Sequence, residues 1–157
     1  MIDITNELQI LISKLDEGGI EYALCGGLAL AIYEKPRATA DIDLLVLADS
    51  VDAVMEIARS LNYSIRGLDL SLAEGAIEIR RISKIDPESK FVLSLDLLLV
   101  TPHTQQVWES RVQAIWQQRP LTVVSRDGLI ALKNLSGRPQ DLADIEALTD
   151  NSPNEKN

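Results

Sequence analysis

Residues 91 to 100 read FVLSLDLLLV, a nearly continuous apolar run broken by one serine and one aspartate. A half-buried strand alternates apolar and polar residues, whereas a run this uniform suits a central strand covered on both faces. Such a strand needs a layer packed on each of its faces. With 157 residues and 46% hydrophobic content, the chain has enough material for one core and too little for two ordinary domains.

Helical periodicity supplies the layers. Ile4, Leu8, Leu11, Ile12 and Leu15 recur at helical spacing before EGG, and SVDAVMEIARSLN offers Ser50 as N-cap ahead of an apolar face of Val54, Ile57, Ala58 and Leu61. IEYALC reads as a short strand that turns at once into the helical GGLALAIYEK. PRATA is loop, DIDLLVL is strand and AIEIRRI alternates with period two. TPHTQQVWESRVQAIWQQ repeats Val107, Trp108, Arg111, Val112, Ile115 and Trp116 at helical intervals, which predicts a helix there, followed by the short β-branched LTVV. The end is helical in two pieces, RDGLIALKNLSGR and PQDLADIEALT, separated at Gly137 and Pro139. The tail DNSPNEKN, residues 150 to 157, is polar and is expected to lack fixed structure.

Composition excludes several function classes. No apolar run approaches the roughly 18 residues of a membrane span and MIDITNELQI lacks the grading of a signal peptide, so the expected location is cytoplasmic. One cysteine, Cys25, and one histidine, His103, leave no disulfide framework and no His/Cys zinc site, so any metal must be held by oxygen. A net charge of -9 argues against a general nucleic-acid coat. Arg66, Arg80, Arg81, Lys84 and Lys90 are scattered enough to read as solvated charges of edge strands. Cys25 reads as a small buried residue, and Trp108 and Trp116 as core or contact residues on one helical face.

The chemistry sits in CGGLALAIYEKPRATADIDLLV, residues 25 to 46. Gly26 and Gly27 fall at a strand-to-helix turn, where free backbone N–H groups and the positive helix end attract phosphate. Asp41 and Asp43 project from one face of the next strand with α-carbons roughly 6.5 Å apart, and hard oxygen donors so placed suit magnesium or manganese. Asp96 stands in the most apolar strand, where a lone ion costs several kcal/mol unless paired or liganded. If that strand runs beside the first, three carboxylates converge. Phosphate on the glycines and two cations on the aspartates would then set up in-line displacement at phosphorus. Two other D-x-D families, the haloacid dehalogenase-like phosphatases and many glycosyltransferases, place the pair after a hydrophobic strand, whereas LLVL follows it here.

These motifs resemble the signature of the DNA polymerase beta-like nucleotidyltransferase superfamily, in which a glycine pair at a helix start precedes a D-x-D and a third aspartate stands on a later strand. Together with LIALKNLSGRPQDLADIEAL, the pattern looks like the minimal bacterial nucleotidyltransferases related to AbiEii toxins. The resemblance covers about residues 20 to 149 and implies that residues 1 to 149 form a single α/β (α+β) domain of nucleotidyltransferase fold, with a mixed sheet of four to six strands flanked by helices. It implies Asp41, Asp43 and Asp96 as metal ligands and catalytic residues, Asp96 also helping to deprotonate the acceptor. Gly26, Gly27, Arg37, Thr39, Lys133 and Arg138 would bind the nucleotide, with Asp141 and Asp144 in the motif that follows. The implied reaction moves a nucleotidyl group from a nucleoside triphosphate to an acceptor hydroxyl with magnesium or manganese as cofactor. The acceptor would be a tRNA or other RNA end, a protein side chain or a small molecule, and a cognate antitoxin is an expected partner. The alternatives are a non-catalytic nucleotide-binding or protein-interaction module on the same fold, and a structural domain with coincidental acids.

Overall fold

A computed structural model describes residues 2–33 and 39–154. The elements run α1 (Ile4–Glu17), β1 (Ala23–Cys25), α2 (Gly26–Ile32), β2 (Asp41–Val46), α3 (Val51–Ser60), β3 (Ile65–Arg66), β4 (Leu70–Leu72), β5 (Ile77–Ile85), β6 (Val92–Leu99), α4 (Gln105–Glu109), β7 (Val112–Trp116), β8 (Arg119–Val123), α5 (Arg126–Ser136) and α6 (Pro139–Asn154). One mixed sheet holds the strands in the order β3-β5-β6-β2-β1-β8-β7, with β4 also paired to β5. Strands β2 and β6 pair in parallel, as do β1 and β8, while the β1–β2, β5–β6 and β7–β8 ladders are antiparallel. This is the mixed sheet with flanking helices expected for a nucleotidyltransferase fold, but with eight strands instead of four to six.

The apolar run FVLSLDLLLV becomes β6, one strand from the sheet centre, and both of its faces are used. Ile42, Leu95 and Ile82 lie side by side across β2, β6 and β5 and are all buried. On this face Lys84 of β5 reaches Glu7 in α1 and the carbonyl of Leu61 at the end of α3, which places those two helices there. Asp96, one position along from Leu95, points to the other face with Arg81 and Asp43. That second face is shared by α2 and α5, and α6 packs on α5.

Two segments depart from the expected elements. The stretch expected to be one helix through Trp116 is a five-residue helix, α4, followed by strand β7. Gln117 and Gln118, with φ of 50° and 65°, form a two-residue turn that returns the chain as β8. A tight hairpin needs this positive-φ pair, and Gln-Gln carries none of the usual glycine or asparagine signal. Val112 and Ile115 are exposed and β7 lies at the sheet edge beside β8, so helix-like spacing there reflected an edge strand with apolar residues on both of its faces. Trp108 and Trp116 therefore sit on different elements, Trp108 buried and Trp116 partly so. The polar tail also differs: α6 continues to Asn154, inside the segment expected to be unstructured. Once an i to i-4 ladder exists, each added residue needs only one further bond, which lets a polar sequence extend it.

Helix ends are met locally, although Ser50, expected to cap α3, stands at its start without a side-chain cap bond. Ser125 caps α5 by accepting from the Gly128 N–H at 2.9 Å, and Gly137 ends it with φ 66°. Among the described residues no helix is long and apolar enough to cross a membrane. Leu95→Ala, which empties the centre of the Ile42–Leu95–Ile82 row, is expected to cost about 2–5 kcal/mol in urea unfolding. A loss below about 1 kcal/mol would show that the row does not carry the sheet.

Candidate active site

Register assembles the site. Cys25 of β1 is opposite Asp43 of β2, Asp43 is opposite Asp96 of β6, and Asp96 is opposite Arg81 of β5, so four strands present one transverse row. A second row, two residues away, is Asp41, Ser94 and Ser83, with the two hydroxyls 2.9 Å apart. The first row floors a cavity of about 510 Å³ that also receives Gly26, Gly27, Thr39, Lys133 and Arg138. The predicted site residues that the structure describes thus converge in one cavity; Arg37 lies outside the described residues.

Gly26 has φ 68°, where side chains are strained, and a Cβ on it would lie 2.6 Å from Cγ of Asp43. The glycine is therefore required by the carboxylate that packs on its α-carbon, an additional reason to the phosphate approach expected from sequence. Thr39 braces the same strand: its Oγ1 accepts from the Asp41 N–H at 3.2 Å and donates to the Asp41 carbonyl at 3.3 Å. It sets the backbone that carries the acidic pair.

The electrostatics follow from crowding. Burial first, then the charges of Asp96 and Asp41, push the Asp43 carboxyl from 3.8 up to about 7, against the pull of Lys133 and Arg138. Burial and the neighbouring Asp43 likewise push the Cys25 thiol well up, so this buried cysteine is a poor nucleophile. Asp96 is relieved differently. Arg81 donates from Nε to Oδ1 at 2.6 Å and from Nη2 to Oδ2 at 2.8 Å, a bidentate pair on a carboxylate only 5% exposed.

Lys133 is also buried, and its Nζ lies 2.9 Å from Asp144 Oδ2 and 3.7 Å from Asp141 Oδ1. Arg138 reaches Asp141 at 2.8 Å, and the Gln140 amide donates to Asp144 at 2.9 Å. Burial raises the Asp141 carboxyl, but hydrogen bonds from Arg138 and Ser136 outweigh it and hold the group below its usual range. So the lysine and arginine lie on the cavity wall already neutralised by α6 carboxylates.

Arg81 is the residue that sequence reasoning missed, having been grouped with Arg66, Arg80 and Lys84 as a solvated charge. Those three do pair at the surface or across the back of the sheet, with Asp69, Asp69 and Glu78, and Glu7 respectively. Only the β5–β6 register distinguishes Arg81 from them, and AIEIRRI does not print its register.

A carboxylate row beside a glycine turn at a helix start, set on a mixed sheet of this order, is the arrangement that the resemblance to nucleotidyltransferases leads one to expect. Over residues 1–149 the sequence matches the family described as nucleotidyltransferase of unknown function (DUF6036), and the chain belongs to that family. None of the curated proteins matches by sequence. In three dimensions the chain is similar to a putative nucleotidyltransferase from Thermotoga maritima, with TM-score 0.65 and 12% identity over 96% of both chains. It is similar to ANT(2'')-Ia in complex with adenylyl-2''-tobramycin, at TM-score 0.65 and 15% identity over 96% of this chain and 90% of that one. The lincomycin-bound lincosamide antibiotic adenylyltransferase LnuA gives TM-score 0.57 and 15% identity over 92% and 95%. At such identities these likenesses speak for the fold.

Two outcomes test the site. Gly26→Ala is expected to lose at least about 2 kcal/mol of stability in chemical denaturation, since it combines a positive φ with a buried collision. For Asp43 the folded carboxyl titrates higher than the unfolded one, so its contribution is fully present below about pH 4 and is lost as pH rises towards about 7. In chelator-containing buffer Asp43→Asn should therefore melt with the parent near pH 4 and at least ~3 °C above it at pH 8. Parallel melting curves across that range would remove the crowding argument.

Proposed function

We propose that this domain transfers a nucleotidyl group from a nucleoside triphosphate to an acceptor hydroxyl, with release of pyrophosphate. The observation that carries the reading is the side-by-side placement of Asp43 and Asp96 next to Gly26, in one cavity with Lys133 and Arg138. Backbone N–H groups at Gly26 and Gly27 bind phosphate oxygens, and Lys133 and Arg138, held on the same wall by Asp141 and Asp144, offer their remaining N–H donors. The acceptor oxygen bonds to the α-phosphorus as the bond to the β-phosphate oxygen breaks, and the pyrophosphate carries that electron pair away.

Asp96 takes the hydroxyl proton. Both of its oxygens already accept from Arg81, but each keeps a further lone pair for the incoming hydroxyl. Arg81 thereby fixes the direction in which the carboxylate points. Asp41 and Asp43 fit a divalent cation by donor chemistry: hard oxygens, one of them on a carboxyl whose crowding a cation relieves. Among the described residues no three acidic, His or Cys side chains are disposed to hold an ion, and Arg81 occupies Asp96. The cation sites are accordingly assigned to Asp41 and Asp43, with Asp96 joining only where Arg81 yields. Magnesium or manganese, when bound, supplies charge neutralisation on the phosphates.

The AbiEii-type subgroup, with an antitoxin as partner, rests on the C-terminal sequence motif. The presence of a lincosamide adenylyltransferase among proteins of similar fold supports a small acceptor instead. One observation favours a second reading, a non-catalytic nucleotide-binding module: the bidentate Arg81–Asp96 pair resembles a structural ion pair.

A label-transfer assay separates the two. Purified protein, magnesium and each α-labelled nucleoside triphosphate in turn, with a cell extract as acceptor source, should give labelled product. Asp43→Ala should lower it by on the order of 100-fold or more. Nucleotide binding without transfer in the unaltered protein would instead support the module.

A further inference from the structure

Beyond the carboxylate row, on the same sheet face, the side chains change character. Two residues on from Asp96 in β6 is Leu98; opposite it in β5 is Ile79, and opposite that in β4 is Leu70. The next pair outward is Ile77 and Leu72. These five line the same cavity as Asp96, so an apolar shelf begins one pleat repeat, about 7 Å, from the third carboxylate. Ile77 and Ile79 are buried, whereas Leu70, on the outer strand, is 43% exposed. The shelf is firm at its base and open at its rim.

The polar groups that would engage phosphates lie elsewhere. Gly26 and Lys133 belong to α2 and α5, at the β1 and β2 end of the row, while the shelf occupies the β4, β5 and β6 end. Around the shelf, the arginines are already matched: Arg66 with Asp69, Arg80 with Asp69 and Glu78, and Arg81 with Asp96. A surface so balanced, on a chain of net charge -9, offers little to a polyanion. We infer that Leu98, Ile79, Leu70, Ile77 and Leu72 form the acceptor subsite, and that it takes a small uncharged alcohol with an apolar body, its hydroxyl directed to Asp96. This rests on the transfer reaction proposed above and names its acceptor class.

Full-length protein with 13C-labelled leucine and isoleucine methyls, titrated with 1-butanol, 1-pentanol and 1-hexanol, tests the subsite directly. Shelf methyls should shift saturably, with affinity rising about three- to fourfold per methylene, as burial of each CH2 requires. Leu70→Asn, at the exposed rim, should weaken hexanol binding at least about fivefold while Leu70→Met restores it. AMP should shift Leu129 and Leu132 on the opposite wall and leave Leu70 in place. In parallel, α-labelled ATP and magnesium are supplied with the same alcohols or with an RNA oligonucleotide.

Label on hexanol in preference to RNA, with the Leu70→Asn variant raised in KM for hexanol, supports the assignment. Saturation of the shelf methyls by AMP would make it a nucleobase site and overturn it, as would hexanoate or hexylamine binding as well as hexanol. Label transferred to RNA or water with no methyl response overturns the shelf alone. A methyl response that follows the alcohol series with no label moved anywhere overturns the transfer reaction and, with it, the acceptor role.

Discussion

The structure depends on one alignment: parallel pairing of β2 with β6 in the register that sets Asp43 beside Asp96. Two carboxylates on neighbouring strands repel, and they sit where water is scarce. The surroundings read as answers to that repulsion. Arg81 balances one acid through two hydrogen bonds. The other is left with a raised proton affinity, in contact with a glycine α-carbon at the start of α2. A slip of β6 by one residue against β2 would carry Asp96 to the face of α1 and α3, away from Asp43, and turn Leu95 towards the cavity. The apolar run of β6 forbids this, so hydrophobic packing on one face fixes electrostatics on the other.

The helical side of the cavity is governed by a different balance. Lys133 is buried among acids supplied by α6, so the positive wall is built from two helices and not from α5 alone. Taking either partner away would strand a charge in a poorly solvated place, which ties the ordering of α6 to the chemistry beside it. The sheet side has no such reserve of charge and changes within a single pleat from ions to leucines.

Much of this was legible in the chain. The glycine turn, the acidic strand, the two-sided apolar strand and the broken pair of C-terminal helices rest on local signals: period and breakers. The class of fold follows from these. What local signals do not carry is register. Arg81 and Arg80 are neighbours of the same type in an alternating strand, yet one meets Asp96 and the other meets Asp69 and Glu78. The misread segment has the same origin: Val112 and Ile115 mimic a helical face only when the β7–β8 pairing is unknown. Leu70 and Leu72 are likewise silent, because a three-residue strand shows too little alternation to reveal which way it points.

The contact between Gly26 and Asp43 also limits how sequences of this kind can diverge. One position lacks a side chain because the other needs its space, so neither can drift by single steps. A longer acid at 43 would need new room, and a methyl at 26 would need the acid withdrawn. Sterically the two positions act as one unit, so a change that removes the acid is also the change that frees position 26 for a side chain.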